Sequence, residues 1–266
     1  MKRFLVLTGL TLAVCALSVA QESAGDRVVV PARNSSHQRV VNASVVHGSI
    51  TVKAYSGKEV IVETAGGSRS QAPDRTPDGL HRIDLPMRGL VVEEEDNVVH
   101  VRTSSSHPSS LVITVPVDTS LELKSVHGNI TVEGVHGEVE ASSTHGQVTL
   151  TNISGTVVAD STNGSVKVSM DRVDPGKPIA FSSINGSIDV TLPADLKANL
   201  KMRSVRGAIY SDFEMKLTNG QPSTADGSPN GRFRVEFDRT IYGTINGGGT
   251  EASFRTVNGR IVIKKK

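Results

Sequence analysis

The chain has 266 residues, with 29 Lys and Arg against 27 Asp and Glu, no Trp, three Tyr and a single Cys. Balanced charge with almost no aromatic stacking platforms argues against a nucleic-acid partner, and one cysteine rules out an intrachain disulfide or a thiolate metal cluster. With aromatics at 3%, a core must come from Val, Ile, Leu and Ala, which suits thin, closely stacked β layers.

The first element is a leader. Met1-Lys2-Arg3 precede an apolar run from Phe4 to Ala20, and Gln21-Glu22-Ser23 is abruptly polar. This is the three-part pattern of a secretory signal peptide. Small residues at Ser18 and Ala20 stand where a signal peptidase reads, which predicts that residues 1–20 are removed before Gln21. The run is short and broken by Thr8, Gly9, Thr11 and Ser18, so no membrane span is expected after cleavage. Cys15 follows Leu12-Ala13-Val14 and looks somewhat like a lipoprotein processing site, but Val14 stands where such sites carry Gly, Ala or Ser. Loss of Lys2 and Arg3 leaves 27 basic residues, equal to the acidic count. The mature chain is therefore expected in the periplasm, on the cell surface or secreted, without cysteine and without net charge.

From residue 27 to about 120 the pattern predicts an irregular β region. Arg39 to Val45, Glu59 to Glu63, Leu90 to Glu94, Val98 to Arg102 and Leu111 to Val115 alternate or run apolar at strand length. Gly66 to Pro86 reads as a loop, as does Thr218 to Gly231, because Gly, Pro, Ser and Asp dominate both.

From Leu121 the chain becomes a tandem repeat, taken here as the region 121–266. Glycines recur at Gly128, Gly137, Gly146, Gly155 and Gly164, a period of nine without a slip, and the block returns around Gly186, Gly207, Gly243 and Gly259, with an earlier copy at Gly48. Within each block the third and fifth residues are apolar (Ile130 and Val132, Val139 and Ala141, Val148 and Leu150), which is strand periodicity. Each block thus predicts one strand and one glycine-centred turn, with these ten glycines as structural turn residues. A single block cannot bury its apolar face, so blocks must stack. The expected fold is all-β and solenoid-like, with flattened coils of about eighteen residues spaced by the inter-strand distance of about 4.8 Å. In that register Val139 lies over Val157 on one sheet and Ile130 over Val148 on the other. The closing Lys264-Lys265-Lys266 reads as charge that keeps a last exposed strand from pairing with another molecule.

His47, His127, His136 and His145 precede glycines of the repeat. An eighteen-residue coil brings His127 and His145 to one edge, one strand apart, where two imidazoles could share zinc or copper. The competing reading is turn chemistry: Asn163, Asn185 and Asn258 occupy the same slot, and Asn and His both tolerate left-handed φ. No nucleophile elbow, phosphate-binding glycine loop or zinc-protease helix is present, the calcium-binding nonapeptide's paired glycines and aspartate are missing, and the Glu93-Glu94-Glu95-Asp96 run reads as a solvated turn. No cofactor is expected, and no enzyme.

Ile113-Thr-Val-Pro-Val-Asp-Thr-Ser-Leu-Glu-Leu-Lys-Ser-Val-His-Gly-Asn-Ile-Thr-Val132, followed by the Asn-Gly-Ser repeats, resembles the bacterial putative-adhesin family, a domain of unknown function with Gly-x-Ile-x-Val strand repeats. The likeness spans residues 40 to 263. It implies a β-solenoid in an exported, envelope-associated protein. The sequence reading is accordingly a noncatalytic envelope or surface protein, an adhesin or binding scaffold whose polar sheet face meets an envelope polymer or surface protein. The alternatives are an envelope-stress modulator, or a glycan-active enzyme marked by clustered Asp, Glu and Arg on one strand face.

Overall fold

Alternation at period two gives each strand one buried and one outward face, and two such strands placed back to back close a coil around their apolar sides. A computed structural model of the chain describes residues 27–32, 38–65, 90–103, 110–219, 223–225, 234–236 and 240–266. The predicted leader and the loop expected at 66–86 lie outside these residues.

The protein is all-β, and its coils stack into a β-solenoid with a front and a back sheet. In spatial order the parallel front strands are Val98–Thr103, Arg39–His47, Thr119–His127, His136–His145, the second half of Val148–Ser161, Ile179–Asn185, Thr250–Asn258 and Ala198–Arg206. The matching back strands are Ser110–Pro116, Ile50–Tyr55, Ile130–Glu133, the first part of Val148–Ser161, Val166–Val173, Ile188–Leu192, Ile261–Lys265 and Ile209–Ser211. The eighteen-residue register expected from the glycine period is present: Val139 pairs with Val157, and Ile130 with Val148. The five flanking strands expected before residue 120 also form, and the strand at Arg39–His47 pairs directly with Thr119–His127. The hairpin between Leu90–Glu95 and Val98–Thr103 turns through Asp96 and Asn97, whose φ of 48° and 69° suit residue types that tolerate the left-handed region.

The coils do not stack in chain order. Residues 98–116 lie outside residues 39–55, and the C-terminal coil at 250–265 is inserted between 179–192 and 198–211. This overturns the edge-strand reading of Lys264-Lys265-Lys266. Ile261–Lys265 is hydrogen-bonded to Ile188–Leu192 on one side and, through residue 263, to Ile209–Ser211 on the other. The lysines are instead used locally: the Lys266 ammonium contacts Asp171, and Lys265 sits 5.4 Å over the Phe213 ring.

Antiparallel strands cover the ends of the parallel stack. Leu90–Glu95 lies on Val98–Thr103, and Val60–Ala65 with Arg27–Val30 lies on Ser110–Pro116. At the other end Ile241–Ile245 and Lys216–Asn219 extend the front sheet. Such caps change the direction and spacing of the free backbone groups, so the end no longer matches a further parallel coil. Part of the loop expected at 218–231 is strand, since Ser223–Ala225 pairs with Arg234–Glu236.

The core is a set of columns running along the stack. In the back sheet Ile50, Ile130, Val148, Val166, Ile188 and Ile261 lie one above another, all fully buried. In the front sheet Leu123, Ala141, Ala159, Phe181, Phe254 and Met202 do the same. Burying one branched side chain contributes roughly 1.5–3 kcal/mol. Each coil shares that gain with both neighbours, so a single coil would not stand alone. Near the N-terminal cap the Arg39 guanidinium, 6% exposed, donates to the carbonyls of Lys58, Val30 and Pro31. Burial lowers its pKa from the ordinary arginine value and outweighs the opposite pull of Glu94 and Tyr55. The bonds to Val30 and Pro31 tie the end of the cap strand Arg27–Val30 to the first coils.

Candidate functional site: the turn ladder and the outward faces

The repeat's polar residues fall in two places, the edge where front strands turn into back strands and the outward faces of the sheets. At the edge His47, His127 and His145 stack with ring centroids 5.0 and 4.9 Å apart and interplanar angles of 4° and 2°. Beyond them Asn185 donates to the Asn163 side-chain oxygen at 2.8 Å, and Asn258 donates to that of Asn185 at 2.7 Å. Arg206, in register with Asn258, ends the column. None of these His and Asn residues has positive φ, so the left-handed backbone expected for this slot is corrected: the positive-φ non-glycine residues among the described ones are Asp96, Asn97, Asn152 and Asn246. The slot selects side chains that stack on copies of themselves one strand spacing away. The structure does bring His127 and His145 together, with His47 as a third ring, whereas His136 begins a front strand at the other edge. The rings lie parallel, so the in-plane lone pairs of neighbouring imidazoles run side by side, whereas two imidazoles on one tetrahedral zinc must converge on it. Among the described residues no group of three or more His, Cys, Asp or Glu is arranged to hold an ion.

The glycines beside this column are fixed by contact more than by turn type. A Cβ on Gly128 would stand 1.9 Å from the Gly48 carbonyl oxygen, and the same clash recurs for Gly146 on Gly128, Gly164 on Gly146, Gly186 on Gly164, Gly259 on Gly186 and Gly207 on Gly259, at 2.0–2.1 Å. Of the ten glycines assigned to turns, Gly48, Gly155 and Gly207 have φ in the left-handed range. Three are not turn residues: Gly137 and Gly155 pair with each other inside front strands, and Gly243 lies within the antiparallel strand Ile241–Ile245.

Sequence reasoning missed the residue three places before each of these glycines. Ser125, Ser143, Ser161, Ser183 and Ser204 donate their hydroxyls to the carbonyls of Gly48, Gly128, Gly146, Gly164 and Gly259, and Thr256 donates to that of Gly186, at 2.9–3.3 Å. Each hydroxyl bonds the neighbouring coil. The signal is the four-residue motif Ser/Thr-x-His/Asn/Arg-Gly, which recurs at 125–128, 143–146, 161–164, 183–186, 204–207 and 256–259. Ser143→Ala should cost about 1 kcal/mol, the net value of one such bond, read as a lower urea midpoint with unchanged slope.

Each outward face is a grid. On the back sheet Thr51, Thr131, Thr149, Lys167 and Asp189 form one row in register. On the front sheet Glu122 and Glu140 are direct cross-strand neighbours, a pair that follows from the eighteen-residue register, since both are strand positions facing outward. Lys124 donates to Glu122 at 2.5 Å, and that bond raises the Lys124 pKa. Ser142 donates to Asp160 at 3.0 Å. Glu122 and Glu140 project from one face of one sheet.

Residues 41–263 match the family described as Toastrack DUF4097. The chain belongs to this family. The Toastrack match begins in the front strand Arg39–His47 and ends in the inserted back strand Ile261–Lys265, so it spans both the flanking coils and the regular repeat. Among solved structures, a putative cell adhesion protein from Clostridium sporogenes aligns over 91% of this Toastrack chain and 100% of its own, at 11% identity and a TM-score of 0.38. A putative adhesin from Bacteroides fragilis aligns over 92% and 98%, at 13% identity and a TM-score of 0.36. No curated protein sequence matches.

Proposed function

We propose that the chain is an exported, noncatalytic protein of the cell envelope or surface that acts as an adhesin or binding scaffold. The observation that carries this reading is the pair of long parallel sheets, whose outward rows repeat Thr, Ser, Lys, Glu and Asp at fixed strand spacing. A surface of that kind makes many similar weak contacts with an extended partner and is held rigid by the core, which lowers the entropy lost on binding. Export is supported by the leader pattern of residues 1–20, and the partner is an envelope polymer or surface protein.

Expression of the full chain in its native host should yield a product beginning at Gln21, outside the cytosol, and that purified product should co-sediment with isolated envelopes. Mass spectrometry of the N-terminus and fractionation decide it. A full-length protein confined to the cytosol would sink the reading.

A further inference from the structure

A near balance of 29 bases against 27 acids does not mean an even surface. The middle of the front face carries Glu122, Glu138, Glu140 and Asp160 on three successive strands, with Lys124 bonded to Glu122 and Lys177 3.9 Å from Glu138. The C-terminal end is basic. Ala198–Arg206 carries Lys201, Arg203 and Arg206 and no acid, and the adjoining Thr250–Asn258 carries Arg255 outward, followed by Arg260 after the turn. Glu251 is the acid on these two strands. All five cations are exposed, and none makes an ion pair or side-chain hydrogen bond among the described residues.

Their arrangement is directional. Arg203 and Arg255 are cross-strand partners on the outward face, their backbones about 4.8 Å apart. Lys201 lies two residues along the same strand, about 6.6 Å away, with Tyr242 as its neighbour on the capping strand. Arg206 and Arg260 continue the row around the turn edge, since Arg206 pairs with Asn258 beside Gly259. Like charges directly opposite on a sheet repel. An anion held between the two forks removes that repulsion, and guanidinium forks match the oxygens of a phosphate better than ammonium groups do.

We propose that this row is a binding site for a linear phosphate-bearing polymer, laid along the strand direction from Lys201 across Arg203 and Arg255 to Arg206 and Arg260. The inference rests on the binding-scaffold reading and specifies its partner. A polymer is favoured over a single ion because the cations are spread over some five residues of strand, about 17 Å, and engage successive charges.

The probe is fluorescent inorganic polyphosphate, titrated into the mature protein at several salt concentrations. The wild type should bind with an affinity that falls linearly in log salt, by release of condensed counterions. Arg203→Gln with Arg255→Gln should weaken binding at least about tenfold and flatten the salt slope by about 1–2, while the melting temperature does not fall, because a repulsive pair has gone. Lys53→Gln with Lys167→Gln, on the opposite sheet, should change neither. Equal loss in both double variants, or no loss in the first, overturns the site. So does single-stranded DNA of matched charge that competes better than polyphosphate, or a doubling of mass in solution that the Arg203/Arg255 variant abolishes, which would assign the patch to a second copy. Envelope co-sedimentation separates the two levels: wild type and variant sedimenting alike overturns the phosphate-polymer site and leaves the scaffold standing, whereas a wild type that binds polyphosphate but no envelope removes the scaffold reading alone.

Discussion

Replacing Gly146 by alanine should cost the protein about 3 kcal/mol or more and lower its urea midpoint accordingly. The added Cβ would stand 2.0 Å from the Gly128 carbonyl oxygen and 2.9 Å from the Ser143 hydroxyl. The first obstacle is backbone, itself clamped by the Ser143 bond, so the strain cannot be relieved by rotating a side chain. The coils would have to separate locally, which removes buried contacts as well as hydrogen bonds, and losses of this size come from such combined mechanisms. Gly176→Ala is the informative control. Its φ of 80° strains an alanine, but nothing lies within 4 Å of the new Cβ. There the cost should be about 1–2 kcal/mol, the penalty of the left-handed region alone. A loss at Gly146 no larger than that at Gly176 would show that the close contact between coils does not fix the glycine column.

Phe254→Ala should be comparably damaging, at about 3–5 kcal/mol, because a fully buried ring is removed from between two coils. Its ring lies 5.2 Å from that of Phe181, 73 residues earlier. The pair also tests coil order. A double-mutant cycle between Phe181→Ala and Phe254→Ala should return a coupling of about 0.5–1.5 kcal/mol. If the C-terminal coil lay beyond 198–211, as chain order suggests, the two rings would be a coil apart and the coupling would vanish.

That order marks where the sequence stops being legible. Period two at Ile130 and Val132 or Val139 and Ala141 sets the inward face, and the glycine period sets which residue lies over which, so strand, register and the stacking of Val139 on Val157 follow from local pattern. The neighbours of a coil do not. Every parallel coil offers the same backbone edges, and nothing in Ile261-Val262-Ile263 alone distinguishes docking on Ile188–Leu192 from docking at the end of the chain. The missing information is in the side chains that must match across coils. His47, His127 and His145 stack together, and Asn163, Asn185 and Asn258 stack together. Arg206 cannot serve as a link in an amide ladder, because it offers no acceptor, and it sits at the end of the column although it precedes Asn258 in the chain. Sorted by that slot, the residues give the spatial order. The basic row was hidden for a related reason: Arg203 and Arg255 become neighbours only once the inserted coil is placed.

The inserted C-terminal coil also determines how the protein would carry a mechanical load. Tension applied at Lys266 runs along Ile261–Lys265, which is bonded to Ile188–Leu192 on one flank and to Ile209–Ser211 on the other. The hydrogen bonds on both flanks are then loaded together, in shear, instead of opening one at a time from a free edge. Chain order would have put this strand at the periphery, where it could peel; the insertion anchors it between two others.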